Sequence, residues 1–379
     1  MKKALALAMA AIMALSLAAC GGATSSSNSQ STSASESTSS TASESTATTG
    51  AEIAMITDKG DIDDKSFNQG TWEGIKAYCE ENGKTCQYYK PADATNDDYI
   101  TSIEQAIKDG AKVIVTPGYL FEIPIYTVQD QHPDVKFVLI DGNPNDGAKE
   151  ATYKTAENTV GIKFSEQQAG YLAGYAAVMD GYTKLGFLGG QAVPAVVNFG
   201  YGYVQGANDA AKELGITVEM MYTNTDGFSA TPEAQAMAAS WFNAGTEIVF
   251  GCGGSVGNSV FSAAEGANGL SIGVDIDQSG ESETVVTSAM KDLASVVSNI
   301  LDQYYAGSFP GGQNQVLGAE DHAVSLAMDT ARFETFDQAA YDALYEKLAS
   351  GSVEVKDNTA AAAPAELGTE NCKVTVVTM

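Results

Sequence analysis

The chain has 379 residues, with 48 Asp and Glu against 20 Lys and Arg, a formal net charge of −28, and a single arginine, Arg332. So acidic a surface repels phosphate backbones, which excludes general nucleic-acid binding. Nearly arginine-free, the chain also lacks the bidentate clamps that hold dianionic ligands. Charged residues are only 18% and apolar ones 44%, a globular balance, and the length suits about two domains.

In chain order, the first feature is a secretory signal. Lys2 and Lys3 precede the Ala- and Leu-rich run Ala4 to Ala19, which is short for a membrane span of about 20 residues. It ends Leu17-Ala18-Ala19-Cys20, a pattern similar to a bacterial lipobox. This predicts a signal peptide over 1–19 and lipidation of Cys20. Residues 20–50 then form a Ser/Thr-rich tether with too little apolar surface to fold. A lipid anchor followed by a tether places a folded domain at the extracytoplasmic face of the cell membrane. Of the remaining cysteines, Cys79 and Cys86 either close a short local disulfide or stay free thiols. No cysteine or histidine spacing suits a metal, and no cofactor is expected.

From residue 51 the pattern alternates strand and helix. Strand-like runs are Ile53–Thr57, Val113–Thr116, Phe137–Ile140, Leu185–Leu188, Ile248–Phe250 and Ile272–Val274. Helical stretches are Phe67–Asn82, Asp98–Asp109, Phe164–Met179, Phe199–Leu214, Pro232–Asn243 and Met290–Tyr305. This predicts α/β architecture with parallel sheets. The order repeats at an offset of roughly 130–135 residues, so two tandem lobes of one topology are expected. They are predicted over 51–163, with a returning segment near 291–316, and over 164–290, with a returning segment near 317–379. The tail after about residue 352 can add a strand to the second lobe.

In open α/β sheets, ligands bind beyond the carboxyl ends of the strands. Those ends carry Asp58, Thr116-Pro117-Gly118, Asp141-Gly142, Gly189-Gly190, Gly253-Gly254 and Asp275. A single aspartate there is commonly a turn or cap; the whole set points to a cleft between the lobes. Phe67 and Phe199 each open the first helix of a lobe and occupy equivalent places in the repeat. They are either core residues or two faces that sandwich a planar ligand. Asp275 and Lys291 suit a vicinal diol, one accepting and the other donating, or else form an ordinary ion pair.

Several stretches resemble the basic-membrane-protein family. They are ITDKGDIDDKSFNQGTWEGIK (Ile56–Lys76), VKFVLIDG (Val135–Gly142), VPAVVNFGYGYVQG (Val193–Gly206), FGCGGSVGNSVFSAAE (Phe250–Glu265), GVDIDQS (Gly273–Ser279) and TSAMKD (Thr287–Asp292). The likeness covers nearly all of residues 52–330. It implies a type I periplasmic-binding-protein fold, two Rossmann-like lobes joined by a three-stranded hinge. It also implies a lipoprotein that binds nucleosides, most readily purines, and delivers them to an ABC permease. Under it, Phe67 and Phe199 sandwich the base, Asp58, Asn68 and Asp141 meet the base edge, and Asp275, Lys291 and the Gly253-Gly254 backbone hold the ribose. Cys252 stands where the family pattern has a smaller residue.

The same fold could instead serve a sugar or a furanose-like signal molecule, which needs Asp275 but not two aromatic faces. Enzyme function is not expected. No G-x-G-x-x-G follows the first strand, and no histidine stands near a candidate nucleophile. The Asp61-Ile62-Asp63-Asp64 run reads as a loop feeding a helix N-terminus. The expected partners are a nucleoside, a permease and the membrane, with the protein itself a monomer.

Overall fold

The computed structural model describes residues 50–379. Cys20, the signal and the tether to residue 49 lie outside them. The chain begins with β1 (Ile53–Ile56), α1 (Phe67–Asn82), β2 (Cys86–Tyr89), α2 (Asn96–Asp109), β3 (Val113–Pro117), α3 (Glu122–Val128), β4 (Lys136–Ile140) and β5 (Thr159–Phe164). It then runs α4 (Glu166–Met179), β6 (Lys184–Gly189), α5 (Pro194–Leu214), β7 (Val218–Asn224), α6 (Pro232–Asn243), β8 (Ile248–Cys252), α7 (Val256–Ala267), β9 (Leu270–Asp275) and β10 (Val285–Lys291). The last elements are α8 (Leu293–Tyr305), β11 (Gln313–Leu317), β12 (Val324–Leu326), α9 (Gln338–Ala349) and β13 (Cys372–Val376).

The strands form two sheets. One has the order β11-β5-β4-β3-β1-β2 and is parallel throughout. The other has the order β12-β10-β9-β8-β6-β7-β13, and only β12 runs antiparallel. Apart from β13 and the reversed direction of β12, the two orders correspond strand for strand, so the sequence repeat is a repeat of topology. The central strands are buried on both faces, which is why their sequences read as continuous apolar runs. β13 pairs with β7 and covers what would otherwise be an open edge.

The chain passes between the sheets three times, after β5, after β10 and after β11. These crossings are tied by backbone hydrogen bonds: Ser165 N–H donates to Leu317 at 2.8 Å, and Asp292 N–H to Ala323 at 2.9 Å. In the second lobe, α4 and α5 pack backbone to backbone through Gly170, Gly174, Gly202 and Gly206. A Cβ on any of these would come within about 2 Å of the facing helix's backbone oxygen.

Two predicted helices stand as predicted. α1 ends at Gly83, which adopts the left-handed conformation (φ 61°) that favours glycine. α6 begins with Pro232 behind Thr231, whose side chain accepts from Ala234 N–H at 3.1 Å. Other boundaries need correction. α5 starts at Pro194, so Phe199 lies in its second turn and is not positionally equivalent to Phe67, the first residue of α1. Met290 and Lys291 finish strand β10 rather than open a helix, and Asp292 caps α8. Phe164 likewise closes β5, ahead of α4. Cys79 and Cys86 are free thiols.

Candidate functional site

The carboxyl ends of both sheets face one cleft, with a cavity of about 150 Å³. All nine residues singled out in the sequence border it: Asp58, Phe67, Asn68, Asp141, Phe199, Gly253, Gly254, Asp275 and Lys291. The repeat is visible here too. Asp141 directly follows β4 and Asp275 ends β9, and both hold left-handed backbone, φ 60° and 67°. Aspartate tolerates this conformation better than most residues, but strained backbone of this kind gathers at functional sites. Gly118 after β3 and Gly253 after β8 form a second matching pair, φ 119° and 117°.

Lys291 is the electrostatic centre of the cleft. It is 4% exposed. Its Nζ lies 2.6 Å from Asp141 Oδ2 and 3.2 Å from Glu166 Oε1. Burial alone would neutralise this ammonium. Asp141, Glu166 and Asp275 outweigh burial and hold it charged, well above the usual lysine range. Burial pushes all three carboxyls up, and Lys291 opposes that shift. Asp141 Oδ1 is buried and has no hydrogen-bond donor among the described residues. A buried acceptor left open beside a cavity is suited to a donor on a ligand.

Asn68 borders the cavity and is tied to two carboxylates. Its Nδ2 donates to Asp58 Oδ1 at 2.8 Å and to Asp64 Oδ2 at 3.0 Å. Its Oδ1 accepts from Asp58 N–H at 3.4 Å. The carboxamide fixes Asp58 at the border of the cavity, which Asn68 itself also lines. Asp64 in turn accepts from the N–H groups of Ser66, Asn68 and Gln69 at 2.9–3.1 Å, capping α1. That is the expected part of the acidic run in the loop before this helix.

Burial raises the Asp58 carboxyl to about 6, against hydrogen bonds from Gly60 and Asn68 that lower it. A carboxyl raised in the folded state stabilises the protein below its unfolded value and loses that contribution as pH rises through its folded value. Between pH 4 and pH 7 the wild type is therefore expected to lose roughly 2 kcal/mol more than Asp58→Asn, once the partial exposure of Asp58 is discounted. Urea unfolding at both pH values measures this. Equal pH dependence in the two proteins would contradict it.

Aromatic rings surround the same ammonium. Lys291 Nζ sits 4.9 Å from the Phe67 ring centre, 5.3 Å from that of Phe164 and 5.6 Å from that of Phe199. Phe67 is half-buried on the first lobe, whereas Phe199 is only 2% exposed. Phe199 is a core residue that also borders the cavity: it packs edge-on against Phe250 at 6.0 Å. Phe228 lines the cleft as well, and its backbone oxygen and Cβ lie 2.8 and 3.1 Å from where a Cβ on Gly254 would fall. Glu166, Phe164 and Phe228 escaped the sequence reading; no local signal separates a buried glutamate from a solvated one.

The lobes touch across the cleft. The Ser66 hydroxyl donates to Asp275 Oδ2, Gln278 Nε2 to the Lys65 carbonyl at 2.7 Å, and Gln191 Nε2 to the Tyr119 hydroxyl at 3.4 Å. The result is a partly aromatic cleft with abundant acceptors, one buried and committed cation in Lys291, and an exposed lysine, Lys59, on its lining.

Known proteins place this geometry in context. A Lactococcus lactis protein named ABC transporter nucleoside-binding protein BmpA is 30% identical over 310 residues, spanning 76% of this chain and 84% of its own length. Basic membrane protein A1 of Borrelia garinii is 30% identical over 280 residues, spanning 73% and 79%. Among solved structures, a solute-binding protein of an ABC transporter system from Aeropyrum pernix K1 superposes with a TM-score of 0.68 at 21% identity, covering 80% of this chain and 92% of that one. One from Conexibacter woesei gives 0.65 at 24%, covering 81% and 99%. The architecture is thus the type I periplasmic-binding-protein fold. The pattern described as ABC transporter substrate-binding protein PnrA-like matches residues 51–359, and the chain belongs to that family, Bmp.

Proposed function

We propose that the protein captures a purine nucleoside in this cleft and hands it to an ABC permease, working as a monomer tethered through lipid on Cys20. Membership of the family makes it a substrate-binding transport component, which acts outside the cytoplasm with a small molecule and a permease. The nucleoside reading rests on one observation above all. Phenyl rings from both lobes, Phe67 and Phe199, border a cavity that also holds the open Asp141 oxygen and the Asp275 carboxylate.

The roles follow from the chemistry. The rings offer two faces to a flat heterocycle, each worth about 0.5–1.5 kcal/mol beyond simple burial. Asp141, and Asp58 held by Asn68, accept from ring N–H and exocyclic amine groups. Asp275, Lys291 and the Gly253-Gly254 backbone meet the ribose hydroxyls. A nucleotide is disfavoured, because its phosphate would enter a cleft with several carboxylates, where the buried Lys291 ammonium is already paired and only the exposed Lys59 on the lining is a further cation. We read the three crossings as a hinge between lobe one (51–163 with 291–316) and lobe two (164–290 with 317–379), closing on ligand.

A thermal-shift panel of nucleosides, nucleotides, free bases, sugars and amino acids tests this. A nucleoside at a hundredfold its Kd should stabilise the protein by about 2.7 kcal/mol, and the matching 5′-monophosphate should do little. A response to a sugar with none to any nucleoside would sink the reading.

A further inference from the structure

A segment outside the cleft is wired into it. Residues 353–371 lie along α5, stapled by side chains from one face of the helix: Asn198, Tyr201, Gln205 and Asn208. Gln205 grips Lys356 twice, accepting from its N–H and donating to its carbonyl, both at 2.9 Å. The Tyr201 hydroxyl donates to the Ala361 carbonyl at 3.1 Å, and Asn208 Oδ1 accepts from Asn371 N–H at 2.9 Å. None of these three residues has a hydrogen bond to a group of the cleft. The fourth reaches further.

Asn198 Oδ1 accepts from Asn358 N–H at 2.8 Å, and its Nδ2 donates to Glu166 Oε2 at 2.9 Å. The other Glu166 oxygen faces Lys291 Nζ at 3.2 Å, which pairs with Asp141 at 2.6 Å. An unbroken polar chain thus runs from the strap's backbone through Asn198 and Glu166 to the cation at the centre of the cleft. Glu166 is 3% exposed, so these protein partners rather than solvent orient it. Asn198 also directly precedes Phe199, which borders the cavity.

We infer that Asn198, locked by the C-terminal strap, is a positioning residue for the ligand site: it holds Glu166 aimed at Lys291, and so fixes the Lys291–Asp141 pair. The inference rests on the nucleoside-binding reading for its consequence, though not for its geometry. The charged and titratable groups around Glu166 are Lys291 at the end of β10, Asp141 after β4, Asp275 at the end of β9 and Cys252 at the end of β8.

The test follows the Glu166 carboxyl by carbon NMR through a pH titration of the ligand-free full protein, alongside calorimetric nucleoside affinities. Asn198→Leu removes a donor that favours the charged form. The Glu166 midpoint should move upward by about one pH unit or more, and nucleoside affinity should fall roughly tenfold. Asn358→Pro deletes the strap's N–H while leaving α5 intact, and should act in the same direction even if Asn198→Leu folds poorly. Gln205→Leu cuts two staples away from Glu166, and should lower stability with no change in the Glu166 titration. An unmoved midpoint in Asn198→Leu and Asn358→Pro, or an equal move in Gln205→Leu, overturns the inference. So does a displaced midpoint with unchanged affinity. A wild type that binds no nucleoside defeats the functional reading instead, and the titration still decides the strap.

Discussion

Replacing Lys291 with Met is expected to destabilise the protein by about 3–5 kcal/mol at neutral pH and to abolish tight ligand binding. Met matches the length of the lysine stem, so packing against Phe67, Phe164 and Phe199 is largely kept. What disappears is the charge that balances Asp141 and Glu166, both nearly removed from solvent. Two carboxylates, with Asp275 close by, are then left to repel one another in a poorly solvated space.

The pH dependence separates this cause from lost packing. Lys291 titrates far above neutrality in the folded protein, so its own contribution is complete at pH 7 and disappears only in strong alkali. The carboxyls are already raised by burial, and losing Lys291 raises them further. Carboxyls raised in the fold favour the folded state at low pH. The variant should therefore regain stability as pH falls from 7.5 to 5, and its gap from the wild type should narrow. Urea titrations at the two pH values measure that gap. An identical loss at both would mean that the repulsion among the carboxyls is not its cause.

Much of the architecture was legible because strand ends and helix ends carry local chemistry. Gly83 after α1 and Thr231-Pro232 before α6 mark those helices directly. Pro194 carries the same signal for α5, but the Val196-Val197 pair that follows has low helix propensity and masks it. β10, VVTSAMK, mixes small and polar residues although nearly all of it is buried. Its burial comes from the neighbouring β9 and β12, which no local pattern reports. β2 is half-exposed at an edge and has no apolar run to reveal it. The aspartates at the cleft were readable from their place after strands. The pairing of Lys291 with Asp141 and Glu166 was not, because charges buried together and charges left in water look alike in sequence.

Phe199→Ala should cost about 3–5 kcal/mol of stability, the usual range for emptying a buried phenylalanine site, and should weaken nucleoside binding at least tenfold. The two effects have separate origins. The stability term comes from the 2% exposed ring and its edge contact with Phe250. The binding term comes from the face that borders the cavity. Phe67→Ala provides the counterpart, since that ring is half-buried: the stability loss should be clearly smaller and the affinity loss similar. Phe199→Leu then divides the two roles of one residue. Leucine refills most of the volume, so folding stability should largely return. It offers no flat face to a base, so affinity should stay down by about the stacking contribution, near tenfold. Calorimetry of the three variants with one nucleoside, beside their unfolding curves, gives both quantities. Full recovery of binding in Phe199→Leu would show that the ring only fills space, and the base would then need another aromatic partner in the second lobe, for which Phe228 is the one at hand.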